Sequence, residues 1–434
     1  MKITERVIRF ALIAMIALSV YLSFNIWLSP TMKRNNVQTS EELAQTSNTN
    51  KKAATDTFAP LRLIRHAEGK IQLTTGENLI SYVQNELIHS KFGALSQTVS
   101  EDNEAYAKAL ESDDAIELRY VGPMLLTEYL RIYGLDMDLD QVQDSDSVYF
   151  SRIMVLLDKG KIRFFNNNRR NVYEASINVD KGKIQQLFQE NEAKYLTVKE
   201  GFPVMEWQYY LTEPIKMKKY SYILASQSFT RFRDSFFKDP TDLHMNEDSR
   251  DLIYSSDTEN MVISEADSIV AFQGVFHNDS EPDIYADSFQ FVSPLGTTYS
   301  SLRYFDRTKD RIDYRTLIEG FPVFGPQEKG QISITFSDNG SERRVGIRTS
   351  LDTIQVPIPA DEEVTIESSD KVLQTLIDHG ADPSKFENML IGYTWQSIDK
   401  VKQVVDFLPE WYVKYADEWL SAKDLQRRLD TEVE

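Results

Sequence analysis

The chain of 434 residues contains no cysteine, which excludes disulfides, thiolate metal sites and cysteine nucleophiles. Histidine is scarce, with five in all, and His66, His89, His244, His277 and His379 are scattered along the chain. That dispersion leaves few ways to build an imidazole metal site. Excess positive charge is missing too. The formal net charge of -19 excludes sequence-independent nucleic-acid binding and sets up repulsion from anionic polymers and lipid. No H-E-x-x-H, G-x-S-x-G, P-loop or dinucleotide fingerprint occurs. Acidic side chains are plentiful, but no pair is singled out for glycoside cleavage. Long apolar runs are absent as well, with a single exception.

That exception is Phe10 to Leu28, FALIAMIALSVYLSFNIWL, which carries no charge. About 20 apolar residues suffice to cross a bilayer as a helix. Lys2, Arg6 and Arg9 precede the run, with Glu5 among them, and Lys33 and Arg34 follow it. This bias favours an N-terminus on the inside. A cleaved signal peptide is the competing reading, but the run exceeds a usual signal core and no A-x-A pattern follows it closely. Ala11, Ala14, Ala17, Ser19 and Ser23 recur at three- and four-residue spacing, which permits close helix–helix approach, although small residues are common in membrane spans generally. Trp27 suits an interface anchor. The first 34 residues hold five basic residues and one acid, or +4, so the remainder carries -19 - 4 = -23. The expected order is a cytoplasmic segment 1–9, a transmembrane helix 10–28 and a polar extracellular stalk 29–58.

Folded sequence is expected from about Pro60. Leu61 to Arg65 reads as a strand, and Asn78 to Ser90 and Glu104 to Leu110 as helices. Ile116 to Val121 is a strand that Gly122-Pro123 ends, with Pro123 opening a helix through Ile132. Val148 to Leu157 and Ile162 to Phe165 form a hairpin. Ser228 caps a helix to Phe237, and strands fill Asp251 to Phe276 around the turn Ser255 to Glu259. Gln331 to Phe336 pairs with Val345 to Thr349, Ser369 caps a helix from Lys371 to His379, and Gly380 stops it. Strands follow at Met389 to Trp395 and Val404 to Leu408, and the aromatic segment Pro409 to Trp419 packs against the sheet.

An internal repeat stands out. Residues 195–204 read YLTVKEGFPV and residues 314–323 read YRTLIEGFPV, identical at seven of ten positions, and Gln208 and Gln327 keep the same spacing. The shared Gly201-Phe202-Pro203-Val204 and Gly320-Phe321-Pro322-Val323 suit a structural corner: glycine for an unusual backbone angle, proline to fix the next, and Phe and Val for a core. The expected fold is α+β, with an N-terminal domain 59–194 followed by two related domains, 195–313 and 314–434, each an antiparallel sheet with a helix.

Two stretches imitate catalytic or metal chemistry. Leu63-Ile64-Arg65-His66-Ala67-Glu68 has the form of a histidine-phosphatase opening, in which His is the nucleophile and Arg holds phosphate. No second histidine lies in a matching context, so His66 reads as a structural or surface residue. Asp136, Asp138 and Asp140 begin like a calcium loop, yet position six is Gln141 and position twelve Ser147. No catalytic, cofactor or metal residue is therefore assigned.

The single anchor, the polar stalk, KMKKYSYIL…FRDSFFKDP at Lys216 to Pro240, EGFPVF at Glu319 to Phe324 and PEWYVKY at Pro409 to Tyr415 together resemble the YycH (WalH) family of low-GC Gram-positive bacteria. The resemblance covers essentially the whole chain. It implies a non-enzymatic membrane regulator of the WalK-WalR (YycG-YycF) two-component system, which controls cell-wall metabolism. The implied partners are the sensor histidine kinase in the membrane, a YycI-like accessory protein and the lipid bilayer, with no cofactor and no nucleic acid. A cell-wall enzyme and a wall-polymer scaffold are the alternatives.

Overall fold

The computed structural model describes residues 51–433 apart from residues 68, 191–193, 202–207, 248–250, 278–281, 300, 340–341, 360 and 399–400. The anchor 10–28 with its helix-contact candidates, and Phe202, Pro203 and Val204 of the first repeat, lie outside the described residues. Among the described residues no helix is long and apolar enough to cross a membrane.

The architecture is α+β, as the sequence implies. Described strands form a ten-stranded sheet, a fourteen-stranded sheet and a two-stranded ribbon. The first sheet runs, in spatial order, Tyr209–Tyr210, Leu196–Glu200, Lys70–Thr74, Arg62–Ala67, Ala115–Leu125, Tyr149–Leu156, Lys161–Asn166, Asn171–Asn178 and Lys91–Phe92, with Ser96–Val99 also on Asn171–Asn178. Its pairings are antiparallel. Strand alternation divides its side chains between two faces. Leu63, Leu118, Ile153 and Phe164 line one face, in a core completed by helices Glu77–Ile88, Leu126–Tyr133 and Lys181–Glu190. Glu77–Ile88 buries Leu79, Ile80, Val83, Gln84 and Leu87, the spacing of one helical stripe. On the other face, Ile64, Leu73 and Val198 join a core with the C-terminal strands, whereas Met154, Phe165 and Val172 pack under helix Asn103–Leu110.

The second sheet bends at the second repeat. Strand Arg311–Ile318 pairs with Gln331–Asn339 through residues 311–315 and with Phe321–Phe324 through Leu317 and Ile318. Phe321–Phe324 then runs parallel to Phe386–Ile398. The segment Glu319-Gly320 is thus the tight corner between the sheet's two halves, with φ of 51° and 77°. Gly201 of the first repeat also has a left-handed φ, of 92°.

Three local readings change. Pro123 does not start a helix; strand Ala115–Leu125 runs through it, and the helix begins at Leu126. The ladder to Tyr149–Leu156 skips the residues between Arg119 and Met124, so the missing N–H of Pro123 falls in an irregularity where no partner needs it. Ser369 is the first helical residue, with Ser368 at the cap position, and its hydroxyl bonds the backbone of Leu211 instead. Pro409 lies inside the long strand Val401–Tyr415. Its place is between the last pairing with Tyr220–Ser226, at Phe407, and the first with Glu418–Ser421, at Tyr412. The aromatic segment there is part of the sheet itself.

The expected boundary at 194/195 precedes a strand, Leu196–Glu200, that pairs with Lys70–Thr74 in the first sheet. The boundary at 313/314 falls within strand Arg311–Ile318.

Candidate functional site

A charged cluster occupies the first sheet between its two apolar patches. His66, Glu117, Arg119 and Arg152 share one face by register, and Glu200 and Tyr209 extend it. His66 Nε2 lies 2.7 Å from Glu117 Oε1 and 3.1 Å from the Tyr209 hydroxyl, which itself donates to Glu117 at 2.5 Å. Arg152 is fully buried; its Nε approaches Glu117 Oε2 at 3.4 Å, and its terminal nitrogen donates to Glu200 at 2.8 Å. The guanidinium groups of Arg119 and Arg152 each lie 5.3 Å from the centre of the Tyr209 ring. Burial alone would raise the Glu117 pKa, but Arg152 and His66 outweigh it and hold the carboxylate at about 2. Burial, followed by the Glu117 charge, drives the Tyr209 hydroxyl well above its ordinary value.

This geometry explains the phosphatase-like motif. Arg65 faces the opposite side of the sheet, with its guanidinium 5.0 Å from the Phe188 ring centre. Neighbours on a strand point apart, so Arg65 and His66 cannot converge on one phosphate here. His66 is 5% exposed and already bonded to two partners. The cluster therefore acts as a polar lock between strands and the segment carrying Tyr209. In the loop at Asp136, Asp138 and Asp140, Asp138 accepts the Asp140 N–H, an ordinary turn contact.

A second feature joins the two sheets. Thr75 Oγ1 donates to the Glu319 carbonyl at 2.9 Å. A Cβ at position 320 would collide with the Thr75 backbone, so Gly320 is required twice, by its positive φ and by this approach. Phe321 lines the cavity beside it, while Pro322 and Val323 are buried. The sequence marks the corner; its counterpart, Thr75, is invisible there.

A third feature is the segment that follows the expected stalk. Lys52 N–H donates to the Ser293 carbonyl at 3.1 Å, and the Ser293 hydroxyl returns a bond to the Lys52 carbonyl. Phe58 is 1% exposed, and its ring meets Tyr285, Phe289, Tyr304 and Tyr314. Its carbonyl accepts from the hydroxyls of Tyr120 and Tyr133 at 2.9 and 3.3 Å. Residues 52–58 thus strap both sheets together. Sequence reading ended the stalk at 58 and missed Phe58, a lone aromatic in a polar stretch.

An antiparallel sheet and a mixed one, joined by a glycine-dependent corner and a threaded strap, define an α+β body held together along one junction. A family model described as YycH protein, C-terminal domain, matches residues 206–427, and the chain belongs to the YycH family. The crystal structure of YycH from Bacillus subtilis is similar in fold, with a TM-score of 0.67 at 11% sequence identity, covering 86% of this chain and 98% of that one. No curated protein matches the sequence.

Proposed function

We propose that this chain is a non-catalytic, membrane-anchored accessory regulator of a WalK (YycG)-like sensor histidine kinase. Membership of the YycH family, whose members are associated with that kinase system, is the observation that carries the reading. Residues 10–28 cross the membrane, with the N-terminus inside and the body outside. Ala11, Ala14, Ala17, Ser19 and Ser23 form the surface that packs against the kinase helices, beside a YycI-like partner. A sensor that toggles between helix arrangements responds to whichever arrangement this anchor packs against better, by the difference in affinity alone. The body is read as three parts, 59–194, 195–313 and 314–434, the latter two descended from one duplicated unit.

The strap supports a link between anchor and body. A displacement of the stalk acts first on Lys52 and Phe58, at the junction of the two sheets. The closed bonding of His66 supports a non-catalytic role.

The test is reporter output of the kinase pathway in cells carrying the native chain or one with 10–28 replaced by an unrelated membrane span, at verified equal display. Loss of regulation on replacement is expected. Full regulation with the foreign span would overturn the helix-packing mechanism.

A further inference from the structure

A groove of about 490 Å³ lies between the first sheet and the C-terminal strands, bordered by Thr75, Leu196, Met217, Phe321 and Tyr393. Thr75, Leu196 and Phe321 also border a smaller inner cavity of about 40 Å³, so the two adjoin. The outer volume lies within the range of roughly 300–1,000 Å³ typical of small-molecule sites. The inner one has room for roughly three waters, the size of an acidic head group.

The inner cavity is apolar, walled by residues such as Leu73, Val198, Ile391 and Trp411, and among the described residues Arg62 is its one charged side chain. Arg62 has no hydrogen-bond or ion-pair partner among the described residues. The residue directly opposite it on the neighbouring strand is another arginine, Arg119. Like charges placed so repel each other. Burial, then Arg119, lowers the Arg62 guanidinium to about 10. Arg152, opposite Arg119 on the next strand, is by contrast matched by Glu117 and Glu200. A guanidinium set in an apolar cavity without a carboxylate is an open position for an anion from outside.

The outer groove carries Lys194, Lys216 and Lys218 alongside Glu319 and Glu363. Lys218 meets Asp361 only at 3.9 Å. In a chain of net charge -19, three lysines against two carboxylates line this groove, which adjoins the cavity of Arg62.

We propose that the groove binds a small amphiphilic anion, with its acidic head on Arg62 in the inner cavity and its apolar body along Leu196, Phe321 and Tyr393. The class comprises carboxylates, sulfonates and phosphates on an aromatic or short aliphatic frame. The lysines at the mouth attract the head, and Arg62 holds it by a paired, charge-assisted contact.

The experiment is calorimetric titration of the full chain, in a nonionic detergent, with 1-naphthalenesulfonate, octanoate and the uncharged 1-naphthalenemethanol. Saturable binding of the two anions, at least tenfold tighter than that of the alcohol, is expected. Arg62→Met should weaken anion binding at least tenfold while leaving the alcohol unchanged, and Arg62→Lys should retain most of it. Arg62→Met should also raise the unliganded Tm, because it removes an unpaired charge. Leu196→Trp, which narrows both cavities, should block all three probes. Equal binding of anions and alcohol, or anion binding that survives Arg62→Met, overturns the proposal. So does an unliganded Tm that falls on Arg62→Met, since Arg62 would then be paired within the fold.

Discussion

Thr75 and Gly320 meet so closely that the threonine carbonyl fills the space a Cβ on residue 320 would need, while its hydroxyl holds the preceding carbonyl of Glu319 at 2.9 Å. One glycine thereby fixes both the bend of the second sheet and its seat on the first. Gly201, the matching residue of the other repeat, has φ of 92° and, among the described residues, nothing within 4 Å of its would-be Cβ. Gly320→Ala is expected to lower the free energy of unfolding by about 3 kcal/mol, from backbone strain plus collision, and Gly201→Ala by only about 1 kcal/mol. Urea denaturation of both variants checks this, and equal effects would contradict it.

Phe58 anchors the strap. Phe58→Ala removes a fully buried ring from a cage of four aromatics and should cost about 3–5 kcal/mol, whereas Phe58→Leu should cost about 1 kcal/mol. Trypsin cleavage after Lys51 and Lys52 should accelerate in the alanine variant. Unchanged protease resistance would show that the strap holds without its ring.

Glu117 makes the polar lock sensitive to acid. Its folded pKa, at about 2, lies below the ordinary 4.5. A depressed carboxylate stabilises the fold above the unfolded pKa and loses that contribution as pH falls from 4.5 toward 2. The loss should be on the order of 3 kcal/mol. Glu117→Gln should flatten this part of the stability–pH curve and be less stable at pH 7, because Arg152 loses one of its carboxylates.

Asp283 works in the opposite sense. It caps helix Ile284–Val292, and its carboxyl is raised to about 7 by burial first and then by the hydrogen bond and charge of Glu128 on helix Leu126–Tyr133. A raised carboxyl is protonated in the folded chain and ionised in the unfolded one between pH 4 and 7. Stability from this group is therefore complete below pH 4 and declines as pH rises to about 7. Asp283→Asn should abolish the decline in unfolding measurements from pH 4 to 8. A persistent slope in the variant would place its origin elsewhere.

Much of the local architecture was legible in the sequence. The hairpin across Asp158 to Lys161, the strands from Asp251 to Phe276 and the helix ended by Gly380 follow from alternation, turn chemistry and periodicity over a dozen residues or fewer. The left-handed glycine at each repeat was legible for the same reason. Pro123 misled because proline followed by a helical pattern normally starts the helix, and here a ladder irregularity accommodates it. Ser369 misled because two serines were available as caps, and the backbone of Leu211, 158 residues away, engages the second.

What the sequence determined by itself is therefore a part of the elements, the single apolar run and the acidic, cysteine-free character, each a matter of neighbouring side chains or simple composition. The tertiary structure alone decided that His66 is locked against Glu117 and Tyr209, that Gly320 touches Thr75, that Phe58 is caged and that Arg62 faces a cavity with no carboxylate among the described residues. Those relations join residues 51 to more than 240 positions apart. Local propensity carries no record of such pairs; they arise only when burial of two sheet faces forces distant backbones together.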